Sequence, residues 1–398
     1  MSASSKPLPR AAPQQLSLSG KARFIFSLVF LAPPQILFNV VRCWCLATVR
    51  RIPLRYYAHS AFCRFSLGKL SPLEIQFTIP GSAELYATWI PKRSKYASSK
   101  RNDAVEQYAA PRLKYDVEPL PDGASSLLWV GDRSKATKFV YFFHGGGYIS
   151  PLQPGHLEWC LRAYVMAAAD QPGEEVAVAV LQYTLAPAAQ YPTQLVQAAS
   201  GFAHILTSGV RPRDLIIGGD SAGGNLTAQL LGHLLHPHPA AEKITLSEPM
   251  AGAFAVSPLV SKRTDSKSFV DNCKIDMLSP AIVSKSHDAV LNGVASYADE
   301  VREGNGWAMP LDSDAAAWFT GLDGVVKAVY VTAGAQECLL DQSVEFAESI
   351  RKGNPGLDVR LEVMKNEAHD WILLEGAAKA DGDATKRMRA WASMAWWA

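Results

Sequence analysis

The sequence predicts an α/β fold, a mostly parallel central sheet with helices on both faces. Three observations carry that prediction. After the first hundred residues, short apolar runs of strand length alternate with longer segments of helical period, the pattern of strands joined by crossover helices. In the middle of this order, Leu215-Ile216-Ile217 runs into Gly218-Gly219-Asp220-Ser221-Ala222-Gly223-Gly224 and leaves as a helix-like stretch from Asn225 to Leu235. That is the pattern of a strand turning sharply into a helix. A chain of 398 residues, 48% hydrophobic, is also long enough to bury one large core with insertions.

In chain order, residues 1–100 form an N-terminal extension with cap helices. Its polar start, Ser2 to Gly20, is expected to have low order, as is Ser94 to Asn102, which is rich in Ser, Lys and Arg. Between them Phe24 to Val41 is apolar and about as long as a short membrane span. Pro33-Pro34 is expected to break it, and Gln35 and Asn39 sit in its second half. Two readings stay open: a cap element folded over the site, or a membrane anchor or interfacial hairpin through residues 24–41, with Arg42, Arg50 and Arg51 suiting either. A secretory signal does not fit, because no small-residue cleavage site follows.

Residues 101–398 form the main domain. Strands are expected at Leu127 to Val130, Phe139 to Phe143, Val176 to Tyr183, Leu215 to Ile217, Ala253 to Val256, Val326 to Val331 and Val359 to Met364. Helices are expected at Leu157 to Ala168, Thr193 to Leu206, Asn225 to Leu235, Val344 to Arg351 and Ala377 to Trp397. The alternation lapses over about 259–322, an insertion that carries Phe269, Met277, Leu278, Tyr297, Trp307, Met309, Trp318 and Phe319. Apolar residues gathered above a sheet make a pocket for a bulky hydrophobic group, and Trp307, in a Gly-flanked loop, is expected to form part of its wall.

Ser221 stands at the tip of the strand-to-helix turn, where small neighbours let the backbone bend without a Cβ clash. A serine hydroxyl attacks a carbonyl only if a base takes its proton and N–H donors hold the oxyanion that forms. The donors are expected from His144-Gly145-Gly146-Gly147-Tyr148, which follows the strand Phe139 to Phe143. Gly145 and Gly146 supply two of them and Ala222 the third, with Tyr148 placed against the substrate. The base and its orienting acid should follow the serine in the chain. Of nine histidines only His369 lies in the last quarter, in a loop after the strand ending at Met364. For the acid, Glu337 lies just past the end of a strand and takes the role, whereas Asp341 precedes a helical segment and reads as a cap or support.

These residues resemble the hormone-sensitive-lipase-like branch of the α/β-hydrolase fold, marked by His-Gly-Gly-Gly and Gly-Asp-Ser-Ala-Gly. Tyr183-Thr184-Leu185-Ala186-Pro187 is similar to a further segment of that branch, so the resemblance runs from about Leu127 to Trp371. The branch usually carries Asp where this chain has Glu337, within Gly334 to Asp341, and often Arg and Glu where Thr184 and Ala188 stand. The resemblance implies a serine hydrolase cleaving carboxylic esters of apolar substrates through an acyl-enzyme, with no metal or cofactor. It leaves two alternatives: a natural-product tailoring hydrolase, acyltransferase or deacetylase with the same triad, and a non-catalytic ligand receptor on the same fold.

A net charge of +2, with Lys and Arg spread along the chain, gives no sign of a nucleic-acid partner. Six scattered cysteines without Cys-x-x-Cys pairing read as reduced thiols of an intracellular protein, cytoplasmic or membrane-associated on the cytosolic or endoplasmic-reticulum side. Cys338, beside the proposed acid, is the thiol expected to be sensitive to alkylation.

Overall fold

The structure, a computed structural model, describes residues 16–100 and 102–397. Eight strands form one sheet: β1 (Val117–Pro119), β2 (Ser126–Val130), β3 (Lys138–Phe143), β4 (Val176–Gln182), β5 (Leu215–Asp220), β6 (Gly252–Val256), β7 (Ala328–Gly334) and β8 (Asp358–Met364). Their spatial order is β1-β2-β4-β3-β5-β6-β7-β8. The β1–β2 and β2–β4 pairs are antiparallel and every other pair is parallel. Central strands covered on both faces need apolar side chains on both, which is why β3 and β5 read as unbroken runs. On β3, Val140 and Phe142 enter the core on one face while Tyr141 and Phe143 enter the core on the other.

Sequence periodicity misses β1. Val117-Glu118-Pro119 is three residues long and ends in proline, tolerable only because β1 is an edge strand whose outer N–H groups meet no ladder.

The N-terminal region is helical almost throughout. Pro33-Pro34 does not break it: one helical run covers Leu18–Arg50, 33 residues. Over Ser27–Leu31 the helix widens to a π turn, with the Ala32 N–H bonded to the Ser27 carbonyl, and this wider turn takes up the bulk and missing N–H groups of the prolines. Arg51, left-handed at φ 56, ends the run. Helix Leu54–Lys69 then folds back against it, followed by Pro72–Thr78 with a Ser71/Glu74 capping box. Together with Pro280–Leu291 of the insertion, these helices roof the carboxyl ends of the parallel strands.

Of the segments expected to have low order, residues 2–15 lie outside the described residues, and Leu18 opens the long helix. Ser94 to Ser99 is helical, the end of Ser82–Ser99. Its order has a clear cause. Arg93, buried at 2% exposure, bridges two helices: Nη2 donates to Glu106 Oε1 at 2.9 Å and Nε to Glu158 Oε2 at 2.8 Å. Arg162 completes the square, 3.0 Å from Glu106 and 2.8 Å from Glu158. Removing one cation from such a cluster strands a buried carboxylate. Arg93→Met is therefore expected to cost about 3–5 kcal/mol, read as a lower urea midpoint.

All six cysteines are free. Cys338 is fully buried, its Sγ against the Leu278 carbonyl, and burial pushes its thiol far up, so it is shielded rather than sensitised.

Candidate active site

Ser221 follows β5 and precedes helix Ala222–Leu235, with φ 51 and ψ −114, a conformation a serine adopts only when held there. What holds it is close backbone approach. A Cβ on Gly219 or Gly223 would fall inside the Phe143 carbonyl oxygen at the end of β3, so only glycine fits at both. The turn thereby lifts the Ser221 side chain over the carboxyl ends of β3 and β5.

The structure brings His369 to it across 148 residues of chain: Nε2 lies 3.1 Å from Ser221 Oγ. Glu337 lies behind the ring, its Oε2 3.9 Å from His369 Nδ1, longer than a hydrogen bond. Neither Nδ1 nor Glu337 Oε1 has another partner, so a small rotation of the carboxyl would satisfy both. The Glu337 carboxylate is fixed by the Ser257 hydroxyl at 2.7 Å and the Gly334 N–H at 3.2 Å. Asp341 is elsewhere: in the first turn of helix Leu340–Gly353, it accepts the Ser268 N–H at 2.8 Å and ties that helix to the insertion.

Sequence reasoning missed Asp370. It is buried, left-handed at φ 53, and its Oδ2 lies 3.1 Å from His369 Nε2, the same nitrogen that faces Ser221. Burial alone would lower the imidazole, yet Asp370 and then Glu337 stabilise its cation and raise it. Burial pushes both carboxyls up, with His369 opposing.

The glycine loop is tied to the elbow through Asp220. Gly145 N–H donates to Asp220 Oδ1 at 3.0 Å, so that donor is engaged. His156 Nδ1 accepts the Gln153 N–H at 3.0 Å, which leaves the proton on Nε2 to donate to Asp220 Oδ2 at 3.1 Å. The N–H groups of Gly146 and Gly147 have no acceptor among the described residues, and both glycines line the cavity. His144, lowered to about 4 by its burial, stays neutral beneath the loop, stacked on Tyr183.

Two residues expected to touch substrate, Tyr148 and Trp307, do not line the cavity. Tyr148, turned by a φ of 60, is buried and donates to Asn225 Oδ1 at 2.6 Å; Asn225 in turn donates to the Ala308 carbonyl at 2.9 Å. Tyr148 thus joins the glycine loop to the elbow helix and the insertion. Trp307 donates to the His236 carbonyl at 2.6 Å and packs edge-on against Trp318, away from Ser221.

The cavity above Ser221 has a volume of about 400 Å³. Its walls are Phe62, Cys63 and Leu67 of helix Leu54–Lys69, Ile75 and Ile79 beyond it, Met277, Leu278, Ile282 and Val283 of the insertion, and Leu373 after the histidine loop. Ser221, His369, Asp370 and His156 form its polar floor. Among the described residues, no three His, Cys, Asp or Glu side chains are grouped so as to hold a metal ion.

Residues 140–373 match the alpha/beta hydrolase fold family. The chain is similar to an esterase of Acinetobacter venetianus, 27% identical over 230 residues, 58% of this chain and 66% of that protein, slightly under two thirds of its length. It is also similar to the esterase LipU of Mycobacterium tuberculosis, 24% identical over 58% of this chain and 69% of that one. Among solved structures, a thermostable esterase from Pseudomonas putida superposes with a TM-score of 0.59 at 18% identity, over 87% of this chain and 97% of the other. An esterase of the bacterial hormone-sensitive lipase family gives 0.54 at 20% identity, over 78% and 97%.

Proposed function

The chain belongs to the alpha/beta hydrolase fold family, and from that membership we propose that it is a serine hydrolase cleaving carboxylic esters of apolar compounds through an acyl-enzyme. The observation that carries this reading is the approach of His369 Nε2 to Ser221 Oγ, 3.1 Å, at the floor of an apolar cavity. Ser221 Oγ attacks the ester carbonyl carbon as its proton passes to Nε2, and the carbonyl π pair moves onto oxygen. The N–H groups of Gly146, Gly147 and Ala222 take that oxyanion, Gly145 being committed to Asp220. Collapse expels the alcohol, which leaves with the proton from Nε2. Water then gives a proton to Nε2 and its oxygen to the acyl carbon, and the acid departs as Ser221 regains its hydrogen. Glu337 holds the ring and stabilises its cation. The aliphatic walls favour a hydrocarbon acyl or alcohol group over a small polar one.

Labelling with a fluorophosphonate tests this. The wild-type chain is expected to label at Ser221 within minutes and Ser221→Ala not at all. A folded wild-type protein that stays unlabelled would instead be a receptor on the same fold.

A further inference from the structure

We propose that helix Leu18–Arg50 lies in the plane of a lipid bilayer surface, docked along one side to the enzyme, so that apolar esters enter the cavity from the leaflet; the entry route rests on the hydrolase reading above, the docking does not.

The helix is apolar and long enough to cross a membrane, yet only 11% of its most apolar window is buried. It is fastened to the same globular body near both ends. At the start, Arg23 bridges Glu74 at 3.1 Å and Phe24 packs edge-on to Phe77. At the finish, Cys43 and Ala47 are buried, and Arg50 Nη1 donates to Asn272 Oδ1 at 2.7 Å and Gln336 Oε1 at 2.6 Å. Roughly 40 Å of helix separates those fastenings, against a hydrocarbon core of about 30 Å. A spanning helix would put the two sets of contacts on opposite sides of the bilayer, which one body cannot supply. Lying flat satisfies both.

The side away from the body exposes Ile25, Phe26, Val29, Phe30, Leu37 and Phe38, an apolar face that no other described residue covers. Charge selects the occupant. The first 73 residues hold ten Lys and Arg and no Asp or Glu, Glu74 being the first acid, while the whole chain is only +2. Residues 74–398 hold 29 Lys and Arg against 37 Asp and Glu. An apolar stripe in a stretch of sequence whose basic residues so outnumber its acids fits an anionic leaflet. The face also continues to the cavity: Phe62, 54% exposed, lines it, and Phe77, equally exposed, adjoins Phe24.

The test uses the full chain and vesicles of phosphatidylcholine with about one fifth phosphatidylserine. Wild-type protein is expected to sediment with them, and the combined variant Phe26→Glu, Phe30→Glu, Phe38→Glu to partition at least about a hundredfold less. That variant should keep its turnover of a soluble short-chain ester, which shows it is folded, and lose turnover of a long-chain ester held in the vesicles. A genetically encoded fluorophore at position 30 should be quenched more by lipids brominated near the headgroup than near the chain end. Stronger deep quenching would mean a spanning helix and overturn the proposal. So would a wild-type chain that ignores vesicles, or one that dimerises through this face by light scattering without binding lipid. If the wild type binds vesicles but hydrolyses no ester, the hydrolase reading fails and the docking stands.

Discussion

His369→Ala is expected to lower kcat on a soluble ester by about a millionfold, and adding Ser221→Ala to it should cost little more. The reason is that the proposed mechanism has the two groups act in one step. Oγ at 3.1 Å from Nε2 is a nucleophile only while that nitrogen can take its proton, so removing either partner removes the same event. What survives is the cavity and the N–H groups of Gly146, Gly147 and Ala222, which keep a residual rate about a thousandfold or more above water. Stopped assays with active-site titration read this directly. Losses that multiplied in the double variant would mean that serine and histidine work independently, and the proposed mechanism would fall.

The elbow was legible because its requirement is steric: with β3 passing so close, the backbone around Ser221 admits only small residues, and that leaves a composition a reader can see. His369 was legible by chain order and by its place after β8. Tyr148 and Trp307 were not, because an aromatic beside a motif does not declare which way its backbone turns it. The φ of 60 at Tyr148 aims the ring at Asn225 and away from the cavity. The engagement of Gly145 was hidden for another reason. It depends on Asp220, a residue inside the serine motif that reads as part of the turn and proves to be the acceptor tying that turn to the glycine loop and to His156. The long helix was misread at Pro33-Pro34 because the rule that proline breaks a helix assumes an α turn, and here a π turn intervenes.

Glu337 and Asp370 both face one imidazole, and two variants should separate what each does. Glu337→Gln is expected to lower kcat by about ten-thousandfold at every pH, since an amide N–H aimed at Nδ1 forces the ring proton onto Nε2, where Ser221 needs a lone pair. Asp341→Asn should leave kcat unchanged, because that carboxylate serves Ser268 and lies away from the ring. Asp370→Asn should behave differently from both. Its Oδ2 is 3.1 Å from Nε2, and its charge, after the opposing effect of burial, is the largest influence raising His369. A raised imidazole remains protonated, and useless as a base, until the pH climbs past it. The acid limb of kcat/KM in the wild type is therefore expected well above the pH 6.5 or so of a free imidazole. Removing the Asp370 charge lowers the ring's proton affinity, so the limb moves to lower pH while the other groups acting on this pair remain: Glu337, Asp220, His156 and Asp276, a buried carboxyl that also acts on Glu337. The plateau at high pH should survive, because Glu337, the proposed orienting carboxylate, is untouched. A limb that stays put in Asp370→Asn would mean that its charge does not raise the ring, and a plateau that collapses as in Glu337→Gln would make Asp370 the orienting acid and leave Glu337 a buried support for the Ser257 turn.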